Sequence, residues 1–282
     1  MNKLKAHLEN IALSHSVFAL PFAYMGAILA VQGIPAMGDL FWITLAMVGA
    51  RSAAMGLNAL IDLKYDRLHP RFTKRPMVTG AVTPSEVVLL IAASLVVFVL
   101  AAAHLQPVCV KLVPLAVIPL AVYPYMKRVS WTCHLVLGLA LSIAPTGAWI
   151  AITGSLAWPA VYLGLAVGIW IAGFDVIYGC QDVVFDKQHG LHSMPVRFGI
   201  PGALTLSRYM HAFSIGCFWL VGYQLQLGAI YFGGVVLAAL VLIYQHRLVR
   251  DGDFSRVTQA YFMRNGLVGI FILLFTMLNF LL

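Results

Sequence analysis

The sequence predicts an all-α, polytopic integral membrane protein. Of its 282 residues 61% are hydrophobic and only 10% are charged, with a mean hydropathy of +0.90. A typical soluble domain carries about 25% charged residues. Unbroken apolar runs of membrane-crossing length recur along the chain. Inside a bilayer every backbone polar group must be satisfied within the protein, and runs this long and continuous select helices over the alternating strands of a barrel.

Nine stretches have the length to span, at about 11–32, 40–62, 86–104, 108–125, 134–153, 158–180, 203–223, 227–245 and 264–282. They read as one membrane domain covering residues 1–282. Before the first lies a short polar-amphipathic segment, Met1–Asn10, expected on the membrane surface. No small-residue cleavage site follows the first stretch, so that stretch is expected to be retained. Pro21, Pro114, Pro119 and Pro145 fall inside stretches and are expected to kink helices and shape a cavity. The four cysteines, Cys109, Cys133, Cys180 and Cys217, form no C-x-x-C pair and read as small apolar fillers.

The distribution of charge sets the expected topology. Taking Arg264, at the edge of stretch nine, with the connection before it, all of the 18 basic residues except Arg51, Lys111 and Arg208 fall at the N-terminus or in the connections after stretches two, four, six and eight. The positive-inside rule then places the N-terminus in the cytoplasm and the C-terminus outside. The net charge of +8 is thereby a topology signal, and no nucleic-acid partner is expected.

Two acidic clusters carry the chemistry. Asn58, Asp62 and Asp66 follow N-x3-D-x3-D, and Asp182 and Asp186 repeat D-x3-D after Asp175 and Tyr178. A four-residue step puts two carboxylates on one helix face, roughly 6 Å apart at Cβ, where like charges repel. Both clusters fall at expected helix C-termini, where the macrodipole also disfavours anions. Breaking the same local rules twice points to a compensating ligand, and a hard divalent cation carrying a phosphate fits. Two carboxylate pairs suit two Mg²⁺ ions bridging a diphosphate, with Lys74, Arg75 and Lys127 neutralising the rest of its charge. A diphosphate held this way on an allylic carbon ionises to a cation that needs aromatic walls and exclusion of water. Arg51, two turns before Asn58 and inside a stretch, is costly there and reads either as functional or as the buried partner of Asp175. Recurrence of the clusters after four stretches suggests two four-helix pseudo-repeats plus a ninth helix, with Asp62 facing Asp182 across a central cavity.

The run from Asn58 to Asp66 (NALIDLKYD), with Thr73, Lys74, Arg75 and Pro76 after it, resembles the first signature of the UbiA superfamily of intramembrane prenyltransferases. The run from Asp175 to Ser193 (DVIYGCQDVVFDKQHGLHS) resembles its second signature, and Tyr123 to Arg128 (YPYMKR) a third block. The blocks from His15 to Ala23 and from Phe174 to Pro195 resemble a bacterial subgroup commonly labelled 4-hydroxybenzoate polyprenyltransferases, some of which are thought to act on a dihydroxynaphthoate. The resemblance implies Mg²⁺–diphosphate binding by Asn58, Asp62 and Asp66 and by Asp182 and Asp186. It implies diphosphate contacts from Lys127 and Arg75, and places Tyr123 in the third block beside them. Asp175, next to Tyr178, would orient or deprotonate the acceptor hydroxyl. Arg51 would hold an acceptor carboxylate or a phosphate oxygen. The substrates implied are a polyprenyl diphosphate and a hydroxylated aromatic acid, in quinone biosynthesis at the bacterial cytoplasmic membrane.

Other readings stay open on the residues alone. A cation- or proton-coupled transporter also explains intramembrane Asp and Arg, though it predicts midplane charges and broken helices. A CDP-alcohol phosphotransferase also uses aspartates at this spacing, but its D-G-x2-A-R framework is absent. His15 reads as substrate contact or interhelical packing, and Asn265 as packing. His189 and His192 are a poor metal signal. Ser193 reads as loop end or helix cap, and Gly190 as a positive-φ turn.

Overall fold

The computed structural model describes residues 3–11, 13–249, 254, 257 and 259–282, and for 13–19 and 259–265 the backbone alone. The side chains of His15, Arg264 and Asn265, and the whole of Arg250 and Arg256, lie outside the described residues.

The described residues form helices and no strand. In chain order they are α1 (Lys3–Asn10), α2 (Leu13–Val31), α3 (Met37–Asp66), α4 (Pro84–Ala103), α5 (Pro107–Met126) and α6 (Cys133–Thr153). Then come α7 (Trp158–Gly179), a 3-10 turn (Cys180–Asp182), α8 (Val183–Gln188), α9 (Met194–Gln224), α10 (Ala229–Leu248) and α11 (Gln259–Leu281). Every apolar stretch read from the sequence lies on a helix. Among the described residues six helices are long and apolar enough to cross a membrane: α3, α4, α5, α6, α7 with its continuation to Gln188, and α10. The chain is a multi-pass membrane protein.

Helix association in a bilayer depends on close packing rather than on escape from water. At the α6–α7 seam, a Cβ added to Gly138 would stand 2.3 Å from the Gly168 carbonyl oxygen, so only glycine allows this approach. One turn before Gly138 on α6 is His134, and two turns beyond Gly168 on α7 is Asp175. The same tight seam therefore fixes a pair used in the site below. The prolines of α2, α5 and α6 sit inside continuous helices.

Local rules hold at the basic end of the bundle, where α3, α5, α7 and α10 finish and α4, α6 and α9 begin. Thr83 and Glu86 form a capping box at the start of α4, and Lys3 of α1 pairs with Glu86. Gly190 takes φ 65°, as its place between two histidines predicted. Ser193 resolves as a cap: its Oγ accepts from the Val196 N–H at 3.4 Å. Gly199, at φ 70° and ψ 168°, breaks α9 near its start, so a short segment precedes the long one.

One expectation needs correction. The first cluster lies on a single helix, ending at Asp66, the last residue of α3. The second does not. α7 stops at Gly179, Asp182 closes the 3-10 turn, and Asp186 sits in the first turn of α8. The macrodipole argument therefore applies to the first cluster alone. In the second, the two carboxylates lie on different elements, the 3-10 turn and α8.

Candidate active site

The site is built from two acidic elements and two basic segments. Asp62 and Asp66 come from the last two turns of α3, and Asp182 and Asp186 from the 3-10 turn and α8. The basic side chains come from the α3–α4 connection and from the end of α5. Arg75 Nη1 donates to Asp66 Oδ2 at 2.5 Å. Arg128 Nη2 donates to Asp62 Oδ1 at 3.0 Å and to the Ile61 carbonyl at 2.7 Å. Arg71 Nη1 donates to Asp182 Oδ1 at 2.5 Å, and Lys127 Nζ to Asp186 Oδ1 at 3.1 Å. His69 Nε2 lies 3.2 Å from Asp182 Oδ1 without hydrogen-bond alignment.

Both basic segments serve both clusters. The connection sends Arg75 to the first and Arg71 with His69 to the second. Neighbouring residues at the end of α5 diverge the same way, Arg128 to the first and Lys127 to the second. Like-charge repulsion within each D-x3-D is thus offset by cations from elsewhere in the chain. Burial would pull the Lys127 ammonium down, but Asp186 and then Asp182 more than offset it and hold its pKa above the usual lysine range. Burial keeps His69 below the usual histidine range, with Asp182 opposing.

Aromatic faces line the same region. The Arg71 guanidinium lies 5.1 Å from the Tyr178 ring centre, Arg75 3.8 Å from Phe72, and Arg128 5.0 Å from Tyr65. The Tyr123 hydroxyl is 3.5 Å from the Ala54 carbonyl and within electrostatic range of Arg51, Asp62 and Asp175. Arg51 does not pair with Asp175. Its Nε is buried and has no hydrogen-bond partner among the described residues. The partner of Asp175 is His134, whose Nδ1–H donates to Oδ2 at 2.6 Å. The His134 side chain is 1% exposed and that of Asp175 37%, so the histidine is sealed and the carboxylate stays accessible. Asn58 is half-buried without a described hydrogen bond. Lys74 is exposed and makes no ion pair with a described residue, so it does not join the cluster its neighbour Arg75 joins.

Four members were not assigned from the sequence: His69, Arg71, Arg128 and His134. Arg71 stood out only as a topology anchor, and Arg128 as an anchor and as the last residue of the third block. Their position between acidic clusters was signalled by their nearness to Arg75 and Lys127.

Whether Mg²⁺ fits can be judged from the donors. Among the described residues no three histidine, cysteine or carboxylate groups converge closely enough to hold an ion on their own. Magnesium does not need such a cage, since one or two carboxylates suffice when substrate phosphates and water complete its shell. Asp186 Oδ2 is buried and has no hydrogen-bond partner among the described residues, which marks an acceptor with capacity to spare. The residues present fit the ion in company with a phosphate.

Residues 19–274 match the UbiA prenyltransferase family. The chain belongs to that family. It is 36% identical over 243 residues to the 4-hydroxybenzoate octaprenyltransferase of Methylobacillus flagellatus, covering 86% of this chain and 81% of that protein. To the enzyme of the same name from Vibrio campbellii it is 29% identical over 281 residues, covering 99% of this chain and 98% of the other. Among solved structures, an apo UbiA homolog from Aeropyrum pernix K1 superposes with a TM-score of 0.83 at 36% identity, covering 92% of this chain and 95% of the homolog. A UbiA homolog from Archaeoglobus fulgidus bound to GPP and Mg²⁺ shares the fold, with a TM-score of 0.76 at 22% identity over 98% of this chain and 100% of the homolog.

Proposed function

We propose that this UbiA-family enzyme transfers a polyprenyl group from a polyprenyl diphosphate to a ring carbon of 4-hydroxybenzoate, or of a dihydroxynaphthoate. The observation that carries the site assignment is the shared stitching of two acidic clusters by two basic segments. A diphosphate entering between them finds Arg71, Arg75, Lys127 and Arg128 within one side-chain swing. The relatives named 4-hydroxybenzoate octaprenyltransferase support the acceptor, and the homolog bound to GPP and Mg²⁺ supports the donor class.

The four cations turn from their carboxylates to the diphosphate oxygens. Asp62, Asp66, Asp182 and Asp186 are then free to hold Mg²⁺, as two ions in this reading, with Asn58 beside the first pair. Bound there, Mg²⁺ neutralises diphosphate charge and makes it a better leaving group. The allylic C–O bond breaks and its electron pair leaves with the diphosphate. Tyr123 and Tyr178 offer π faces to the resulting cation. Arg51, with its unpaired buried Nε, binds the acceptor carboxylate and sets the ring. The carbon ortho to the hydroxyl attacks the cation. Asp175, held by His134, orients that hydroxyl and accepts the proton that leaves the ring as aromaticity returns. Preorganised charge supplies much of the rate.

In this reading the chain spans the membrane nine times, with α2–α5 and α6–α10 as two four-span repeats, α11 as the ninth span, and residues 1–282 as one domain. The basic end faces the cytoplasm, in the bacterial cytoplasmic membrane. The test offers purified membranes a polyprenyl diphosphate with 4-hydroxybenzoate or 1,4-dihydroxy-6-naphthoate, with and without Mg²⁺. Mass spectrometry of a Mg²⁺-dependent prenylated acid supports the reading and names the acceptor. Folded protein that releases no diphosphate with either acid overturns it.

A further inference from the structure

Helices α9 and α10 meet closely near the turn that joins them. Tyr231 donates its hydroxyl to the Phe218 carbonyl at 2.8 Å, and its ring fills the space where a Cβ on Gly222 would stand. Towards the basic end they part, leaving a groove of about 800 Å³. Its floor is a histidine bridge, His211 Nδ1 to His246 Nε2 at 2.8 Å. Arg208 and Arg247 line it as well, and neither makes an ion pair with a described residue. The rest of the lining is aliphatic, including Ile215 and Ile243. Neighbouring Tyr209, Phe213 and Leu240 are exposed apolar side chains, as befits a lipid-facing surface.

The bridge fixes its own tautomers. The Trp170 carbonyl, 3.1 Å from His211 Nε2, can only accept, so that nitrogen carries the proton. A neutral His211 then accepts at Nδ1, and His246 donates from Nε2. His246 Nδ1 is left as a bare acceptor, buried and without a hydrogen-bond partner among the described residues. The groove thus presents two guanidinium groups for a phosphate and an apolar trough, with one unpaired acceptor for a hydroxyl just beneath its lining.

We propose that this groove binds an anionic phospholipid with a hydroxylated headgroup, of the phosphatidylglycerol kind. Its phosphate pairs with Arg208 and Arg247, a headgroup hydroxyl donates to His246 Nδ1, and an acyl chain lies along Ile215 and Ile243. Guanidinium matches phosphate geometry, and basic pockets between membrane helices near the headgroup level suit anionic lipid. The site is separate from the acidic clusters and independent of the reaction assigned to them.

Native mass spectrometry and thermal unfolding of the full-length protein in neutral detergent provide the test. The additions are phosphatidylglycerol, phosphatidic acid, phosphatidylcholine and inorganic phosphate. One phosphatidylglycerol is expected to remain bound and to raise the Tm, whereas phosphatidylcholine and free phosphate do neither. Arg208→Gln and Arg247→Gln, both at exposed positions, should each weaken retention by about tenfold, the loss of one charge-assisted contact. His246→Phe should keep anionic-lipid binding but erase the preference for phosphatidylglycerol over phosphatidic acid. Equal retention of phosphatidylcholine, a shift given by inorganic phosphate alone, or full phosphatidylglycerol retention by the double arginine variant overturns the proposal.

Discussion

The two acidic clusters share a spacing and differ in construction. Asp62 and Asp66 ride one unbroken helix, α3, whereas Asp182 and Asp186 sit on either side of a change from 3-10 to α winding. Single carboxylates differ in burial as well: the side chain of Asp62 is 32% exposed and that of Asp186 1%, with Asp66 and Asp182 between them at 7% and 11%. The first cluster resembles a rigid arm reaching into the site, and the second a bent segment pinned by its partners. A repeated motif therefore does not imply a repeated scaffold. What is common to the two is the source of their countercharges.

The largest effect tests whether the clusters are equivalent in function. Asp62→Ala and Asp182→Ala should each lower prenyl transfer by about two to three orders of magnitude, with protein still recovered in the membrane fraction. Diphosphate release with Mg²⁺ present is the measurement, and near-normal turnover in either variant breaks the equivalence. Next comes the dyad unique to the second cluster. His134→Leu should cut kcat by about tenfold or more with little change in the KM for prenyl diphosphate, since Asp175 loses its orientation. His134→Asn, which can still donate to Asp175, should restore part of the loss, a rescue that a purely packing role would not produce.

Stability sharpens the contrast. Lys127→Met leaves Asp186 buried without its cation, whereas Arg128→Met leaves Asp62 with access to water. The first should cost about 2 kcal/mol, discounted from the 3–5 kcal/mol typical of a broken buried pair because Lys127 is partly exposed. The second should cost less than about 1 kcal/mol. Equal shifts in Tm would remove the difference in burial as an explanation. A local effect of similar size concerns the cap that follows the second cluster: Ser193→Ala should destabilise by about 0.5 kcal/mol, the low end for a cap because the contact is long. The bent segment should respond more than α3, which hydrogen exchange at α8 would report.

The legible parts of this molecule were those encoded by local spacing along the chain. Apolar length gave the helices, and the four-residue step picked out Asp62, Asp66, Asp182 and Asp186. Partners across helices carry no such signature. Nothing in the spacing of His134 points to Asp175, because their meeting depends on the glycine-to-glycine seam between α6 and α7. Lys74 was the residue expected at the diphosphate and Arg71 was given no site role, yet of the two only Arg71 reaches a carboxylate, since the turns between α3 and α4 bring its guanidinium to Asp182 and leave Lys74 in the open. The break after Gly179 was hidden for a related reason. The four-residue step from Asp182 to Asp186 reads as α-helix continuing past the end of the apolar run, and winding follows from tertiary packing as much as from composition.

Lys127 and Arg128 are adjacent in the chain and hold opposite clusters. A divalent cation arriving alone must displace the ammonium and guanidinium groups that already pair with these carboxylates. A cation arriving with a diphosphate brings that anion with it, and drawing the end of α5 toward the phosphates frees one carboxylate in each cluster at once. In the function proposed above, the pairing would work as an interlock: it would shield the acidic residues from stray metal and couple the loading of both halves of the site to the arrival of the substrate.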